Sequence, residues 1–248
     1  MSRLIKIYGE RNTNTNYLEQ LIRLNLDAEQ ISGVVPHYVK TIQKILPGKE
    51  WLRDWFFSVT PQHNLGWKHT RVMSVQALNN FKPGVCFISI TKNPYSWLLS
   101  LYRKPYSHQY SDGKPSFETF LRTPWKTVER DNCASLLASP IELWNIKNAS
   151  YLQLESLNGL NLTTESTVQD PEVVIAKISR HFSIDRLSSE FLNHEKSTKD
   201  PSKDFAYYQD YYLNERWRDD VSNQAVTIIG EAVDRTLMQH FGYEVLER

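Results

Sequence analysis

The chain of 248 residues has only two cysteines, Cys86 and Cys133. Two cysteines exclude a disulfide scaffold and a zinc site built from four cysteines. An excess of charge of one sign is also lacking, because 29 Lys and Arg residues stand against 28 Asp and Glu residues. This balance argues against a protein whose main task is to bind nucleic acid through its phosphates, but it allows a local basic site for one small anion.

Long hydrophobic runs are lacking as well. The first residues, MSRLIKIYGE, have no long apolar stretch behind their charges, and no segment approaches the roughly 18 apolar residues of a membrane span. We therefore expect a cytoplasmic protein without a membrane span. The length fits one large domain or two small ones. Since no domain boundary is visible, we expect residues 1–248 to form a single domain.

Strand and helix patterns alternate along the chain. Residues 4–8 are typical of a strand, and residues 17–26 have the apolar spacing of a helix. Residues 85–91 form a nearly continuous apolar run, which indicates a central strand of a parallel sheet that is covered on both faces. Asn93 and Pro94 then start a helix. This alternation predicts an α/β fold with a central parallel sheet flanked by helices.

The remaining patterns are weaker. A short strand is expected over residues 66–70. Loops are expected over residues 105–115 and 196–203. Further helices are predicted over 38–57 with a break near Pro47 and Gly48, over 74–81, 141–157 and 173–182, and as one long amphipathic helix over 217–241.

A polar loop, residues 9–16, follows the first strand and precedes the first helix. Backbone N–H groups and the helix dipole at such a place attract an anion. Thr13 and Thr15 add hydroxyl donors, and Arg11 adds a fixed charge. The loop keeps the first glycine of the GxxxxGK[ST] phosphate loop of nucleotide hydrolases, Gly9, but has neither its second glycine nor its lysine. A polar turn before a capped helix would fit the same residues.

Lys92 directly follows the most hydrophobic strand. Ligands of open parallel sheets bind outside the carboxyl ends of the strands, so this ammonium is a candidate contact for an anion. On the next helix, Asn93, Ser96, Ser100 and Arg103 follow one another at spacings of three, four and three, which places them on one face. This polar stripe could bind a phosphate, although an ordinary solvated helix face has the same pattern.

Lys68 and His69 form a candidate catalytic pair. A neutral histidine at a strand end can act as a general base near pH 7, although a lone histidine is more often structural. His63 and His108 are alternatives. No acidic or His/Cys group has metal-ligand spacing, and the strongest strand leads to a lysine rather than to an Asp that would hold magnesium. We therefore expect a phosphorylated anion held by protein cations rather than a magnesium nucleotide.

Together these residues resemble the sulfotransferase family that uses 3′-phosphoadenosine 5′-phosphosulfate (PAPS). The family has a 5′-phosphosulfate loop after its first strand, which residues 9–16 resemble. It has a 3′-phosphate site made by an Arg at a strand end and a Ser eight residues later, and Lys92 and Ser100 keep that spacing. Lys68 and His69 lie between the two motifs, where the family carries its catalytic base. The late tyrosine-rich stretch and the terminal helix are also similar, so the resemblance spans most of the chain.

The resemblance implies a P-loop-containing nucleotide-hydrolase-like fold and in-line transfer of a sulfuryl group from PAPS to a hydroxyl or amine, without a metal. The acceptor would be a carbohydrate or small molecule, and adenosine 3′,5′-bisphosphate (PAP) would be the product. His69 would take the proton of the acceptor, and Arg11 and Lys68 would meet the charge on the departing phosphate. The implied donor-binding residues are Arg11, Asn12, Thr13, Asn14, Thr15, Asn16, Lys92 and Ser100.

Two positions depart from the family pattern. Asn12 stands where the family carries a lysine, and Lys92 replaces an arginine, so charge is kept but the two-pronged guanidinium is not. The late basic loop of the family has no clear counterpart, and Lys196, Ser197 and Lys199 are candidates to replace it. Asn12 keeps open a protein that binds the nucleotide without catalysis, and a kinase of the phosphate-loop class is a further alternative.

Aromatic residues are candidates for lining an acceptor cleft, although aromatic residues at this density also occur in cores. The candidates are Trp55, Phe56, Phe57, Tyr106, His108, Tyr110 and the cluster from Tyr207 to Tyr212.

Overall fold

Six β-strands lie in the part of the chain that this computed structural model describes, residues 3–45, 49–105, 113–196 and 202–247. The strands are β1 (Arg3–Tyr8), β2 (Ala28–Gln30), β3 (Cys86–Thr91), β4 (Trp125–Lys126), β5 (Leu136–Leu137) and β6 (Leu160–Thr163). Four of them form one parallel sheet in the order β2-β1-β3-β6, and β4 and β5 form a separate antiparallel pair.

Thirteen α-helices and three short 3-10 helices lie in the same described residues. The α-helices are α1 (Thr15–Asn25), α2 (His37–Ile45), α3 (Lys49–Val59), α4 (Pro61–Asn64), α5 (Val75–Phe81), α6 (Pro94–Arg103), α7 (Phe117–Arg122), α8 (Pro140–Leu152), α9 (Thr164–Gln169), α10 (Pro171–Phe182), α11 (Phe205–Leu213), α12 (Asn223–Ala232) and α13 (Arg235–His240). The 3-10 helices are Glu129–Asp131, Gln153–Leu157 and Arg216–Asp220.

The sheet is covered on both faces. Alternate residues of β1 point to opposite sides, as in any strand. Ile5 and Ile7 pack against apolar side chains of α1 and α10, whereas Tyr8 packs with Phe87 and with residues of α5 and α8. All six residues of β3 are buried. Because both of its faces are buried, β3 is apolar at four of its six positions, as is usual for a central strand of a parallel sheet. The predicted single α/β domain with a central parallel sheet is confirmed.

The strand order reverses at β1, because the chain passes from β1 to β2 on one side and then to β3 on the other. The last residue of β1, Tyr8, pairs with Ser89, two residues before the end of β3. A reversal of this kind opens a crevice outside the carboxyl ends of the two central strands. The loop after β1 and Lys92 after β3 both lie at this crevice. The fold therefore brings the two predicted phosphate-binding segments to the same edge of the sheet.

Most predicted helices are confirmed, including α6 with Asn93 as its N-cap and Pro94 as its first residue. The prediction for residues 141–157 is correct for α8, but the last turn is a 3-10 helix. Residues 38–57 form α2 and α3, and the predicted break at Pro47 and Gly48 lies outside the described residues.

Two predictions were wrong. Residues 66–70 form a turn rather than a strand, since only isolated backbone bonds tie this segment to the chain, from Gly9 N–H to Lys68 O and from Lys68 N–H to Gly33 O. Residues 217–241 form α12 and α13 after a 3-10 helix, not one long helix. Ser222 and Asp234 accept hydrogen bonds from backbone N–H groups and so start new helices inside an apolar pattern that continues across both breaks.

Candidate functional site

The loop between β1 and α1 has a backbone path that its sequence explains. A Cβ atom at Gly9 would lie 2.6 Å from the carbonyl oxygen of Ile90, so only glycine fits beside β3. Asn12 and Asn14 have φ angles of 68° and 62°, a left-handed conformation that asparagine adopts more readily than most residues. The side chain of Asn14 makes no capping hydrogen bond to α1, and the first turn of that helix has no acidic residue. The positive end of α1 is thus compatible with an anion.

Neighbouring elements hold this loop in place. The Thr13 hydroxyl donates to the carbonyl of Glu10 at 2.6 Å, and the indole N–H of Trp97 donates to the carbonyl of Arg11 at 2.8 Å. From α9, the Thr164 hydroxyl lies 3.1 Å from the Thr13 carbonyl and 3.0 Å from that of Thr91. The loop after β1 and the end of β3 are therefore tied together by one buried side chain.

Lys92 and Ser100 meet as their spacing predicts. The buried ammonium of Lys92 donates to Ser100 Oγ at 2.8 Å and to the hydroxyl of Tyr212, on α11, at 2.9 Å. Close by, the backbone N–H of Asn93 donates to the half-buried Glu165, whose carboxylate also accepts from the Tyr243 hydroxyl. Burial raises the pKa of Glu165, and the charge of Lys92 acts in the opposite direction.

His69 contacts the loop after β1 through its backbone-facing nitrogen. Its Nδ1 lies 2.5 Å from the carbonyl oxygen of Gly9, which can only accept a hydrogen bond, so Nδ1 carries the hydrogen. Burial and then the charge of Lys68 lower the pKa of His69 well below its ordinary 6.5. Arg11 and Lys147 add to this effect, and the bond to Gly9 opposes it. The imidazole is therefore neutral at pH 7, with the lone pair on Nε2.

The side chain of Lys68 contacts α1 rather than the loop after β1. Its buried ammonium donates to Asn16 Oδ1 at 2.6 Å and to both carboxylate oxygens of Glu19 at 2.9 and 3.0 Å. Asn16 and Glu19 both lie on α1. Lys68 thus links the turn that carries His69 to the helix that follows the polar loop.

A cavity of about 780 Å³ opens beside these residues. Of the predicted site residues, its walls include Arg11, Asn12, Asn14, Thr15, Asn16, His69 and Ser100. Thr13, Lys68 and Lys92 do not line it, but Ser100 and Tyr212, the two partners of the Lys92 ammonium, do. The structure therefore gathers most of the predicted residues around one space and leaves three behind its wall.

Positive charge predominates on the cavity wall, although the whole chain is nearly neutral. Among the described residues, eight Lys or Arg side chains but only two carboxylates line it. The cations are Arg11, Lys40, Arg53, Arg103, Lys104, Arg130, Lys196 and Lys203, and the carboxylates are Glu195 and Asp204. Three of the arginines also pair with carboxylates that do not line the cavity: Arg103 pairs with Asp220, Arg53 with Glu50, and Arg130 with Glu50 and Asp54. The predominance of cations on the wall itself suits an anionic ligand.

Lys147 is a buried charge that the sequence pattern of α8 did not distinguish. Its ammonium forms ion pairs with Glu10 and, at 2.5 Å, with Asp131, and donates to the carbonyl of His69 at 2.6 Å. Burial opposes the charge, but the two carboxylates raise the pKa of Lys147 above its ordinary value. This network fixes the residue before Arg11 and the backbone of His69 to the same helix.

Of the other side chains that the sequence predicted for the site, some line the cavity and others do not. Trp55 and Phe56 do not line the cavity, and His63 lies exposed on α4. Tyr106, His108, Tyr110, Ser197 and Lys199 lie outside the described residues. The predicted residues that do line it are Phe57, Lys196, Tyr207, Tyr208, Tyr211 and Tyr212. His194 lines it as well and was not predicted, because no motif surrounds it.

Within the described ranges, no group of three or more His, Cys, Asp or Glu side chains is arranged to hold a metal ion. No helix in those ranges is long and apolar enough to cross a membrane. No protein-family model matches the chain, and no curated protein matches it with significant sequence similarity.

Proposed function

We propose that the chain is a sulfotransferase with a P-loop-like fold, which moves a sulfuryl group from PAPS to a hydroxyl or amine of a carbohydrate or small molecule. One observation carries the proposal. The loop after β1 and the Lys92–Ser100 pair after β3 lie at adjacent strand ends, and the loop, Ser100 and His69 all line one basic cavity. A donor with phosphate groups at two separate positions requires two anion sites of this kind.

The residues at the crevice fit the donor in charge and in hydrogen-bonding character. The N-terminus of α1, with Asn12, Asn14 and Thr15 at the cavity wall, would hold the 5′-phosphosulfate. The Ser100 and Tyr212 hydroxyls would bind the 3′-phosphate, with the Lys92 ammonium directly behind them. When bound, PAPS supplies the sulfuryl group and a phosphate as leaving group.

His69 would serve as the general base. Because Nδ1 donates to the Gly9 carbonyl, Nε2 has the lone pair that can accept the proton of the acceptor hydroxyl or amine. The lowered pKa keeps this nitrogen unprotonated at pH 7, although it also limits the basicity of the ring. Formation of the oxygen–sulfur or nitrogen–sulfur bond would accompany loss of that proton to His69 and cleavage of the bond between the sulfur and the 5′-phosphate oxygen, so that PAP leaves.

Arg11 would stabilise the charge that develops on the departing phosphate. Its guanidinium lines the cavity, and its own carbonyl is held by Trp97. Because the backbone of this residue is fixed, little reorganisation is needed when charge develops, which is the main source of electrostatic catalysis. Arg11 is adjacent to Asn12, which stands where the resembled family has a lysine.

A protein that binds the nucleotide without catalysis is the second candidate. Two observations favour it: Asn12 carries no charge, and the Lys68 ammonium is bound to Glu19 instead of lining the cavity. The non-catalytic protein and the sulfotransferase are expected to have the same affinity for PAP, and they differ only in whether PAPS is turned over.

The direct test is the release of PAP from PAPS in the presence of a panel of hydroxyl and amine compounds, with wild type and His69→Ala side by side. We expect acceptor-dependent release that falls at least about 100-fold in His69→Ala, while the affinity for PAP stays within about twofold. Tight binding of PAP, together with no release of PAP from PAPS in the presence of any panel compound, would favour the non-catalytic alternative. Failure to bind PAP would contradict both.

A further inference from the structure

Two side chains of β1 hold the segment of chain that follows α4. Lys6 and Tyr8 are two residues apart on the strand, so they lie on the same face of the sheet. The Nζ atom of Lys6 donates to the carbonyl oxygens of Asn64 and Gly66 at 2.6 and 2.7 Å. The Tyr8 hydroxyl donates to the carbonyl oxygen of Leu65, between them, at 2.6 Å. Three successive carbonyl groups thus accept hydrogen bonds from one strand, and we call Lys6 and Tyr8 the β1 brace.

The backbone of the braced segment has an unfavourable conformation. Leu65 and Gly66 have φ angles of 57° and 83°, which suit glycine but are uncommon for leucine. Such a conformation persists only where the surrounding structure holds it. The side chain of Leu65 is fully buried in a cluster with Tyr8, and Asn64 Oδ1 accepts from the Gly66 N–H at 2.8 Å. The β1 brace and these contacts together keep the segment in place.

The braced segment leads directly to His69, because only residues 67 and 68 separate it from Gly66. Beyond the segment, the Gly9 N–H donates to the carbonyl of Lys68 at 2.9 Å, and Nδ1 of His69 donates to the carbonyl of Gly9 at 2.5 Å. Gly9 directly follows β1 and begins the polar loop over residues 9–16. The same strand therefore holds the proposed base and starts the proposed donor loop.

A lysine at position 6 supplies what an apolar side chain of similar volume could not. Burial lowers the pKa of Lys6 to about 7, while Glu19 raises it and Lys68 lowers it further. Burying such a group is costly unless it is hydrogen-bonded. The ammonium has three N–H groups and the neutral amine has two, so both forms can donate to the two carbonyl oxygens. The hydrogen bonds of Lys6 are thus kept whether or not it is charged.

We infer that Lys6 and Tyr8 are positioning residues for His69, and that they hold its turn, residues 66–70, against β1 at a fixed place beside the donor loop. This inference rests on the proposed function. Neither side chain lines the cavity, so both act through the turn and touch neither donor nor acceptor. A looser turn would admit water to the imidazole and displace it, and a displacement of about 1 Å can lower a rate about 100-fold.

The test uses two variants of the β1 brace and a matched control. Tyr8→Phe removes one donor and keeps the ring, and Lys6→Met removes the other donors and keeps most of the volume. Phe87→Leu is the control, because Phe87 stacks on Tyr8 from β3 within the same buried cluster and cannot hydrogen-bond to the braced segment.

Nuclear magnetic resonance of the full chain with ¹⁵N-labelled histidine gives the hydrogen exchange rate of the His69 Nδ1–H and the pKa of the ring. The signal is assigned by its loss in His69→Gln. The same proteins are assayed for the kcat and KM of PAPS turnover and for the affinity for PAP.

We expect the Nδ1–H of His69 to exchange at least about tenfold faster in both brace variants, because the turn opens more often. The pKa of His69 should rise toward 6.5, since the ring becomes more hydrated, and the acid limb of the rate profile should move to higher pH with it. The kcat should fall about tenfold or more, while the KM for PAPS and the affinity for PAP stay within about twofold. Phe87→Leu should leave all of these quantities within about twofold of wild type.

Unchanged exchange and pKa of His69 in Tyr8→Phe would overturn the inference, whether or not Lys6→Met folds. Equal effects in Phe87→Leu would also overturn it, because they would reflect general loosening of the cluster. So would a wild-type kcat in brace variants whose turn has loosened. If the wild-type chain neither binds PAP nor turns over PAPS, the proposed function fails, and the resonance measurements still show whether the β1 brace holds His69.

Discussion

The ammonium of Lys92 lies 2.8 Å from the hydroxyl of Ser100, eight residues later in the chain. Strand β3 ends at Thr91, and α6 begins directly afterwards at Asn93 and Pro94. Two turns of that helix place Ser100 on the same face as Asn93, where the long side chain of Lys92 reaches it. Tyr212 approaches the same ammonium from α11. A buried positive charge is thereby placed directly behind two hydroxyls that face the cavity.

The first prediction concerns Lys92→Met. Methionine keeps most of the volume and removes the charge, so the 3′-phosphate should lose its nearest cation. We expect the affinity for PAP to fall about 10- to 100-fold, as for loss of a charge-assisted contact. Adenosine 5′-monophosphate is the matched ligand, because it lacks the 3′-phosphate, and its affinity should be unchanged. Equal weakening of both nucleotides in calorimetry would exclude a 3′-phosphate role for Lys92.

The second prediction follows from the lowered pKa of His69. The unfolded chain binds a proton near the ordinary pKa of 6.5, whereas the folded chain does so only at lower pH. The contribution of His69 to the free energy of unfolding is therefore fully present above pH 6.5 and is lost as the pH falls below that value. At pH 5.5 the loss is at most about 1.4 kcal/mol.

The measurement is urea unfolding at pH 7.5 and pH 5.5 for wild type and His69→Gln. The glutamine variant should show the smaller fall in unfolding free energy between the two pH values, by about 1 kcal/mol. An identical fall in both proteins would mean that His69 is not held neutral in the folded chain.

The third prediction concerns the buried ion network. Lys147→Met leaves the carboxylates of Glu10 and Asp131 buried without their cation, so the unfolding free energy should fall by about 3–5 kcal/mol. Lys177→Met is the control, because Lys177 is exposed on α10 and should change stability by no more than about 0.5 kcal/mol. Denaturant titration of both variants gives their free energies of unfolding. If Lys147→Met lowers this free energy no more than Lys177→Met does, the network contributes little to the stability of the fold.

The fourth prediction separates binding from catalysis at Arg11. If its guanidinium meets the charge of the departing phosphate, Arg11→Ala should lower kcat about 100-fold or more and change the affinity for PAP much less. Arg11→Lys should recover part of the rate, because a cation is restored without the planar fork. The kcat and KM for PAPS of both variants decide this. A loss confined to KM would assign Arg11 to donor binding alone.

The sequence was sufficient to predict β1, β3 and the parallel character of the sheet, but not β2 or β6, because local signals were strong only in the first two strands. An apolar run followed by an N-cap asparagine and a proline predicts β3 and α6 from neighbouring residues alone. The prediction of one long helix over residues 217–241 was wrong because the apolar spacing continues through Ser222 and Asp234. Only the capping hydrogen bonds of these two residues reveal the breaks.

The charges around the site were the least predictable part. The ammonium of Lys147 meets Asp131, 16 positions earlier, and Glu10, more than 100 positions earlier, and each of the three is a common surface residue type when viewed alone. Arg130, Arg53 and Lys40 likewise come together only after α2 and α3 fold beside Trp67. Spacing rules describe neighbours within one element, so they could identify Lys92 with Ser100 but not these contacts.

The most direct test of the central claim is calorimetric titration of the wild-type chain with PAP, without added magnesium, beside a titration with ATP and magnesium. Two anion sites at the ends of β1 and β3 predict binding of PAP with micromolar or lower Kd and much weaker binding of ATP. Binding of ATP with magnesium and none of PAP would contradict a sulfuryl-donor site and favour a kinase.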